Sequence, residues 1–94
     1  MDDGEFQWDD RKSVENYAKH GVSFTLARRV FEDTFAVETI DDREDYGETR
    51  HTIIGVVEAR LLFVVFTMRN DAIRIISARG AEPHEHRRYH EENT

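Results

Sequence analysis

Residues 61–79, LLFVVFTMRNDAIRIISAR, constrain the fold more than any other part of the chain. Two apolar runs flank Asn70-Asp71, a pair suited to a two-residue β-hairpin turn. This predicts strands over 60–68 and 72–79. With that turn, Arg69 opposes Ala72 and Thr67 opposes Arg74. The simple alternation then places Arg69, Arg74, Thr67, Val65, Ile76 and Phe63 on one face. Met68, Phe66, Ile73, Ile75, Val64, Ser77 and Arg79 fall on the other. Both faces are largely apolar, so the hairpin belongs in the middle of a sheet. The arginines stand out against that background. A guanidinium cannot shed its proton, so one near a core needs a carboxylate, a phosphate or several carbonyls. Arg69, Arg74 and Arg79 are therefore either structural ion pairs or an anion-binding surface.

The rest of the chain supplies helices before strands. Phe6-Gln7-Trp8 alternates as a short first strand. Asp9 or Asp10 can cap a helix over 11–20, with Val14, Tyr17 and Ala18 as its apolar face and Gly21 as its stop. Ser23 can cap a second helix over 24–33, built on Phe24, Ala27, Val30 and Phe31. Strands are expected over 35–40 and 49–57, separated by the charged loop DDREDYGE. Pro83 can open a last helix over 83–92. Only Tyr89 is clearly apolar there, so this helix is expected to be weakly anchored. The order β-α-α-β-β-β-β-α predicts an α+β fold with a mostly antiparallel, twisted sheet. At 94 residues, a single domain spanning 1–94 is expected.

Charge is unevenly spread. Residues 1–48 carry six Lys/Arg against fourteen Asp/Glu, and residues 49–94 carry seven against six. The net charge of −7 opposes a general affinity for nucleic acid. A local arginine site on an acidic body remains compatible with it. There is no cysteine, which excludes disulfides and thiolate metal sites. No apolar run reaches the roughly 20 residues of a membrane span, and the acidic N-terminus does not read as a signal peptide. A soluble cytoplasmic protein without membrane contact is the expectation.

Several other residues can carry chemistry. Glu48 and Arg50 lie two apart on extended chain and point the same way, as a base beside a cation or as a surface ion pair. Lys12 and His20 lie about 80° apart around the first helix, and His20 is available for proton transfer. Trp8 is either a base-stacking platform or a core residue. His84, His86 and His90 cluster near the C-terminus, but flanking glutamates favour a solvated helix over a metal site. No metal and no cofactor is expected.

These pieces together resemble the BrnT toxin family. The matching segments are Phe6-Gln7-Trp8-Asp9 with Lys12, KHGVSF at 19–24, Phe31-Glu32-Asp33, Glu48-Thr49-Arg50, Ile54-Gly55, VVFTMR at 64–69, IRIISAR at 73–79 and Arg87-Arg88-Tyr89. The chain departs from the family pattern at Thr34, where proline is frequent, and in the glutamate- and histidine-rich tail. The resemblance implies a RelE-like fold and a type II toxin that cleaves RNA without a metal and inhibits translation. It implies a partner too, a BrnA-like ribbon-helix-helix antitoxin through which operator DNA would be bound. By position it carries over Trp8, Lys12, His20, Glu48, Arg50, Arg69 and Arg79, with Arg74 and Tyr89 as further contacts.

On this reading an RNA 2′-hydroxyl attacks the adjacent phosphorus. Glu48 or His20 takes the proton, and Arg50, Arg69 and Arg79 hold the phosphate. Lys12 adds a cation, and Lys12, His20 and Tyr89 are the candidates to protonate the leaving oxygen. The alternative is a non-catalytic module, or an inactive relative, that pairs with a DNA-binding antitoxin.

Overall fold

The structure, a computed structural model, describes residues 1–94. Strand β1 (Phe6–Gln7) precedes helix α1 (Asp10–His20) and the one-turn helix α2 (Phe24–Ala27). A 3₁₀ segment (Arg28–Glu32) follows, then β2 (Val37–Asp41), β3 (Arg50–Val57), β4 (Arg60–Arg69), β5 (Ala72–Gly80) and helix α3 (Pro83–Glu92). The five strands form one sheet in the order β1-β5-β4-β3-β2. Only β1 runs parallel to its neighbour. The α+β class and the order of elements match the sequence expectation, and β4 is the central strand.

Local chemistry accounts for the boundaries. The Asp9 carboxylate accepts from the N–H groups of Arg11 and Lys12, and Gly21 ends α1 at φ 71°. Asn70 and Asp71 take φ 53° and 66°, the left-handed pair that a two-residue hairpin requires. The second predicted helix tightens into 3₁₀ geometry after one turn. That segment lies directly on β3. A Cβ built at Gly55 would stand 2.5 Å from the Val30 Cγ2, so only glycine admits this approach.

One sheet face packs beneath α2 and the 3₁₀ segment, while α1 lies along the edge of β5. Its core includes Phe6, Trp8, Val22, Phe24, Val30, Ile53, Leu62, Val64, Phe66, Ile75 and Ala78. Fully burying each large aliphatic or aromatic side chain contributes roughly 1.5–3 kcal/mol. The opposite face is covered only at one end. There Tyr89 of α3 packs with Val37, Ile54 and Leu61.

Three expectations are corrected. First, α1 exposes Val14 (71%) and Tyr17 (61%), the residues expected to be buried. It turns Asn16 inward instead. The Asn16 Nδ2 donates to Val22 O and Ala78 O, both at 2.7 Å, and its Oδ1 accepts from Ala78 N–H. β1 pairs with β5 only at Ile73 and Arg74, so the amide side chain takes the place of a strand farther along that edge.

Second, β5 carries a bulge. Phe66 pairs with Ile75, but Val65 pairs with Ser77, which leaves Ile76 as the extra residue. The bulge reverses the alternation beyond it. Ser77 and Arg79 therefore join the face of Phe63, Val65 and Thr67 rather than the opposite one.

Third, α3 is well anchored. Tyr89 is buried, and its hydroxyl donates to Asp33 Oδ2 at 2.8 Å. Glu85 is buried and binds Arg79, and Arg88 donates to Thr39.

Candidate functional site

The register places five polar side chains in one row across all five strands. Asp41 opposes Arg50, Arg50 opposes Thr67, Thr67 opposes Arg74, and Arg74 opposes Gln7. All five lie on the sheet face left open by α3. Neighbouring strands are about 4.8 Å apart, so the Arg50 and Arg74 backbones stand about 10 Å from each other. Thr67 between them is buried, and its hydroxyl donates to Thr49 O at 2.7 Å. That bond fixes the chain where β3 begins.

The two arginines of this row have no carboxylate partner. Arg74 donates to the neutral amide oxygen of Gln7 at 3.0 Å. The Arg50 guanidinium lies 4.1 Å from the centre of the Tyr46 ring, and its Nε is buried without a hydrogen-bond partner. Arg69, at the end of β4, is exposed and stands 3.7 Å from Glu48. Glu48, Arg50 and Arg69 are thus gathered at one corner of the open face.

Asp41 looks like a natural partner for Arg50, but it is already engaged. Arg43 donates to both its carboxylate oxygens, at 2.9 and 3.0 Å. That bond outweighs the cost of burial, and with the Arg43 N–H and Tyr46 hydroxyl it lowers Asp41 to about 2.

Arg79 lies elsewhere on the same face. Its pairing partner is Phe63, four residues from Thr67, so about 13 Å separates it from the Arg50 row along the strand. Its guanidinium stacks 4.3 Å from the Phe63 ring centre. Its fork is held by Glu85, with Nη1 at 2.8 Å and Nη2 at 2.9 Å from the two carboxylate oxygens. Burial opposes the Glu85 charge, but the bonds from Arg79 and the Glu82 N–H prevail and hold Glu85 below its ordinary value. Glu82, His84 and Glu85 present ligand-type atoms within 4.8 Å of one another. The Glu85 oxygens there already accept from Arg79.

His20 reaches the open face from the end of α1. It lines a cleft of about 300 Å³ with Arg43, Phe63, Ser77 and Arg79. Lys12 lies in a separate cleft, of about 280 Å³, with Lys19, His20 and Ser77. The candidates therefore fall into two groups, Glu48–Arg50–Arg69–Arg74 and Lys12–His20–Arg79, joined by the Ser77 side of β5.

Two candidates belong to the core. Trp8 is 5% exposed and meets Phe24 edge to face, so its ring offers no platform for a base. Tyr89 is 8% exposed. Burial, together with its bond to Asp33, pushes its hydroxyl up to about 12. That bond holds α3 onto the sheet, and the tyrosine is no proton donor for an open site.

Sequence reasoning missed Tyr46 and Arg43, which touch Arg50 and Asp41. The signal present was a lone aromatic inside an otherwise acidic loop, beside Gly47. Glu85 was also missed as the partner of Arg79, because the bulge that brings them together leaves no mark in the alternation.

Comparison with protein families decides the kinship. The family model for BrnT, the ribonuclease toxin of type II toxin–antitoxin systems, matches residues 8–85. This chain belongs to the BrnT family. The match spans α1 through the first turn of α3, and so includes both arginine groups. Membership in a type II toxin family implies an antitoxin partner. A search of curated proteins finds no match. No helix is long and apolar enough to cross a membrane.

Proposed function

We propose that this BrnT chain is a cytoplasmic, RelE-like toxin that cleaves RNA without a metal and thereby inhibits translation. The observation that carries this reading is the Arg50–Thr67–Arg74 row. Two guanidinium groups without carboxylate partners flank one position on an open sheet face, with Glu48 and Arg69 beside them.

Held there, a phosphodiester would meet cations on two sides. Glu48 accepts the proton of the 2′-hydroxyl as its oxygen bonds to phosphorus. The bond from phosphorus to the 5′-oxygen breaks, and that oxygen takes a proton from water at the open face, leaving a 2′,3′-cyclic phosphate and a 5′-hydroxyl. Arg50 and Arg74 stabilise the charge that builds on the phosphoryl oxygens, and Arg69 orients Glu48. His20 is the second candidate base and serves the Arg79 cleft. Lys12 adds positive potential next to it. Arg79 reaches a phosphate only where Glu85 gives way.

The proposed partner is a BrnA-like ribbon-helix-helix antitoxin, with operator DNA bound through that partner. The non-catalytic reading draws on the Arg79–Glu85 and Arg69–Glu48 pairs, which answer to internal acids. It does not account for Arg50 and Arg74.

The test is incubation of the purified protein with RNA in excess chelator, followed by analysis of the product ends. Cyclic phosphate and 5′-hydroxyl ends are expected. Intact RNA, or cleavage abolished by the chelator, overturns the proposal.

A further inference from the structure

Arg50 is the uncommitted cation of the open face, yet its side chain is not free to wander. The cause lies in the loop between β2 and β3. Gly47, at φ 73°, reverses the chain there, and the Asp45 carboxylate accepts its N–H at 2.9 Å. The reversal brings Tyr46 back over the start of β3, with its ring centre 4.1 Å from the Arg50 guanidinium carbon. The Tyr46 hydroxyl donates to Asp41 Oδ2 at 3.3 Å. Asp41 is the strand residue directly opposite Arg50 and is itself fixed by Arg43. The ring is thus tied to the strand neighbouring the cation it covers.

The Arg50 Nε is the one buried side-chain nitrogen or oxygen in the protein without a hydrogen-bond partner. A freely rotating arginine would turn that donor to water, because an unmet buried donor is costly. The packing over it prevents this. With the Tyr46 ring against the guanidinium, its N–H donors that no protein group accepts are left for an anion.

We propose that Tyr46 is a positioning residue that fixes the Arg50 guanidinium against the sheet, through its ring rather than its hydroxyl, so that the outer edge faces the substrate phosphate. This rests on the reading of the Arg50 face as the RNA site. Tyr46 touches neither phosphate nor ribose in this role. It acts through Arg50.

Two readouts test it, on Tyr46→Phe, Tyr46→Leu and Tyr46→Ala. The first is the Arg50 Nε–H resonance in a proton–nitrogen correlation spectrum, assigned with Arg50→Ala. It is expected to be shifted by the ring current and to exchange slowly in the wild type and in Tyr46→Phe. In Tyr46→Leu and Tyr46→Ala it should merge with the exposed arginines. The second is single-turnover RNA cleavage. The Leu and Ala variants should lose on the order of 10- to 10²-fold in rate at saturating RNA, as a displaced group does. Tyr46→Phe should restore the rate, and Tyr46→Ala should add no further loss in an Arg50→Ala background.

An unmoved resonance in Tyr46→Leu overturns the proposal. So does a loss that persists undiminished in the Arg50→Ala background. A wild type that cleaves no RNA defeats the nuclease reading, while the resonance still decides whether Tyr46 holds Arg50.

Discussion

Arg50 and Arg74 face each other across a single strand, with Thr67 midway between them on the same face. The arrangement follows from register alone. The two-residue turn at Asn70-Asp71 sets Thr67 opposite Arg74, and the pairing of β3 with β4 sets Arg50 opposite Thr67. A shift of one residue in either hairpin would send one arginine to the core face, where no partner awaits it. The same turn chemistry that closes the hairpin thus builds the cationic row.

Asn16 makes the clearest stability prediction. Its amide serves three buried backbone groups, including both polar groups of Ala78. Asn16→Leu strands them, and each unmet group costs about 1–3 kcal/mol. We expect a loss of roughly 2–4 kcal/mol by denaturant unfolding, with faster hydrogen exchange at the Ala78 amide.

The Arg79–Glu85 pair predicts a pH dependence. The Glu85 carboxyl titrates lower in the folded chain than in the unfolded one. Its contribution is therefore fully present above the ordinary carboxylate range and is lost as pH falls through the lowered folded value. Glu85→Gln should reduce the melting temperature at pH 7. The gap from wild type should close as the solution is acidified below about pH 4.

Tyr89→Phe removes one hydroxyl and leaves Asp33 short of a donor. A bond to a charged group contributes about 1.5–3 kcal/mol, and thermal unfolding should register a loss of that order. RNA cleavage by the folded variant should match the wild type, since this hydroxyl is committed to Asp33. A selective loss of cleavage would return Tyr89 to the site.

Much of this was legible in the chain. Asp9 and Gly21 bounded α1, Pro83 opened α3, and Asn70-Asp71 set the register that aligns Thr67 with Arg74. Each is a local signal read over a few residues. What stayed hidden depends on contacts far apart in sequence. Val14 and Tyr17 have the spacing of a buried helix face, yet α1 turns Asn16 inward because the edge of β5 lacks a strand there. Ile76 looks like an ordinary strand residue, and nothing near it announces the bulge that moves Arg79 to the open face. Glu85 could not be matched with Arg79 until that move was known. Tyr46 sits in an acidic loop whose path over Arg50 is set by a left-handed glycine and by Asp41.

The most direct measurement is the single-turnover rate of RNA cleavage in chelator for the wild type, Arg50→Ala and Arg74→Ala, with the melting temperature of each. The account predicts that either substitution lowers the rate on the order of 10²–10³-fold while the protein stays folded. Folded variants that cut RNA at the wild-type rate would contradict it.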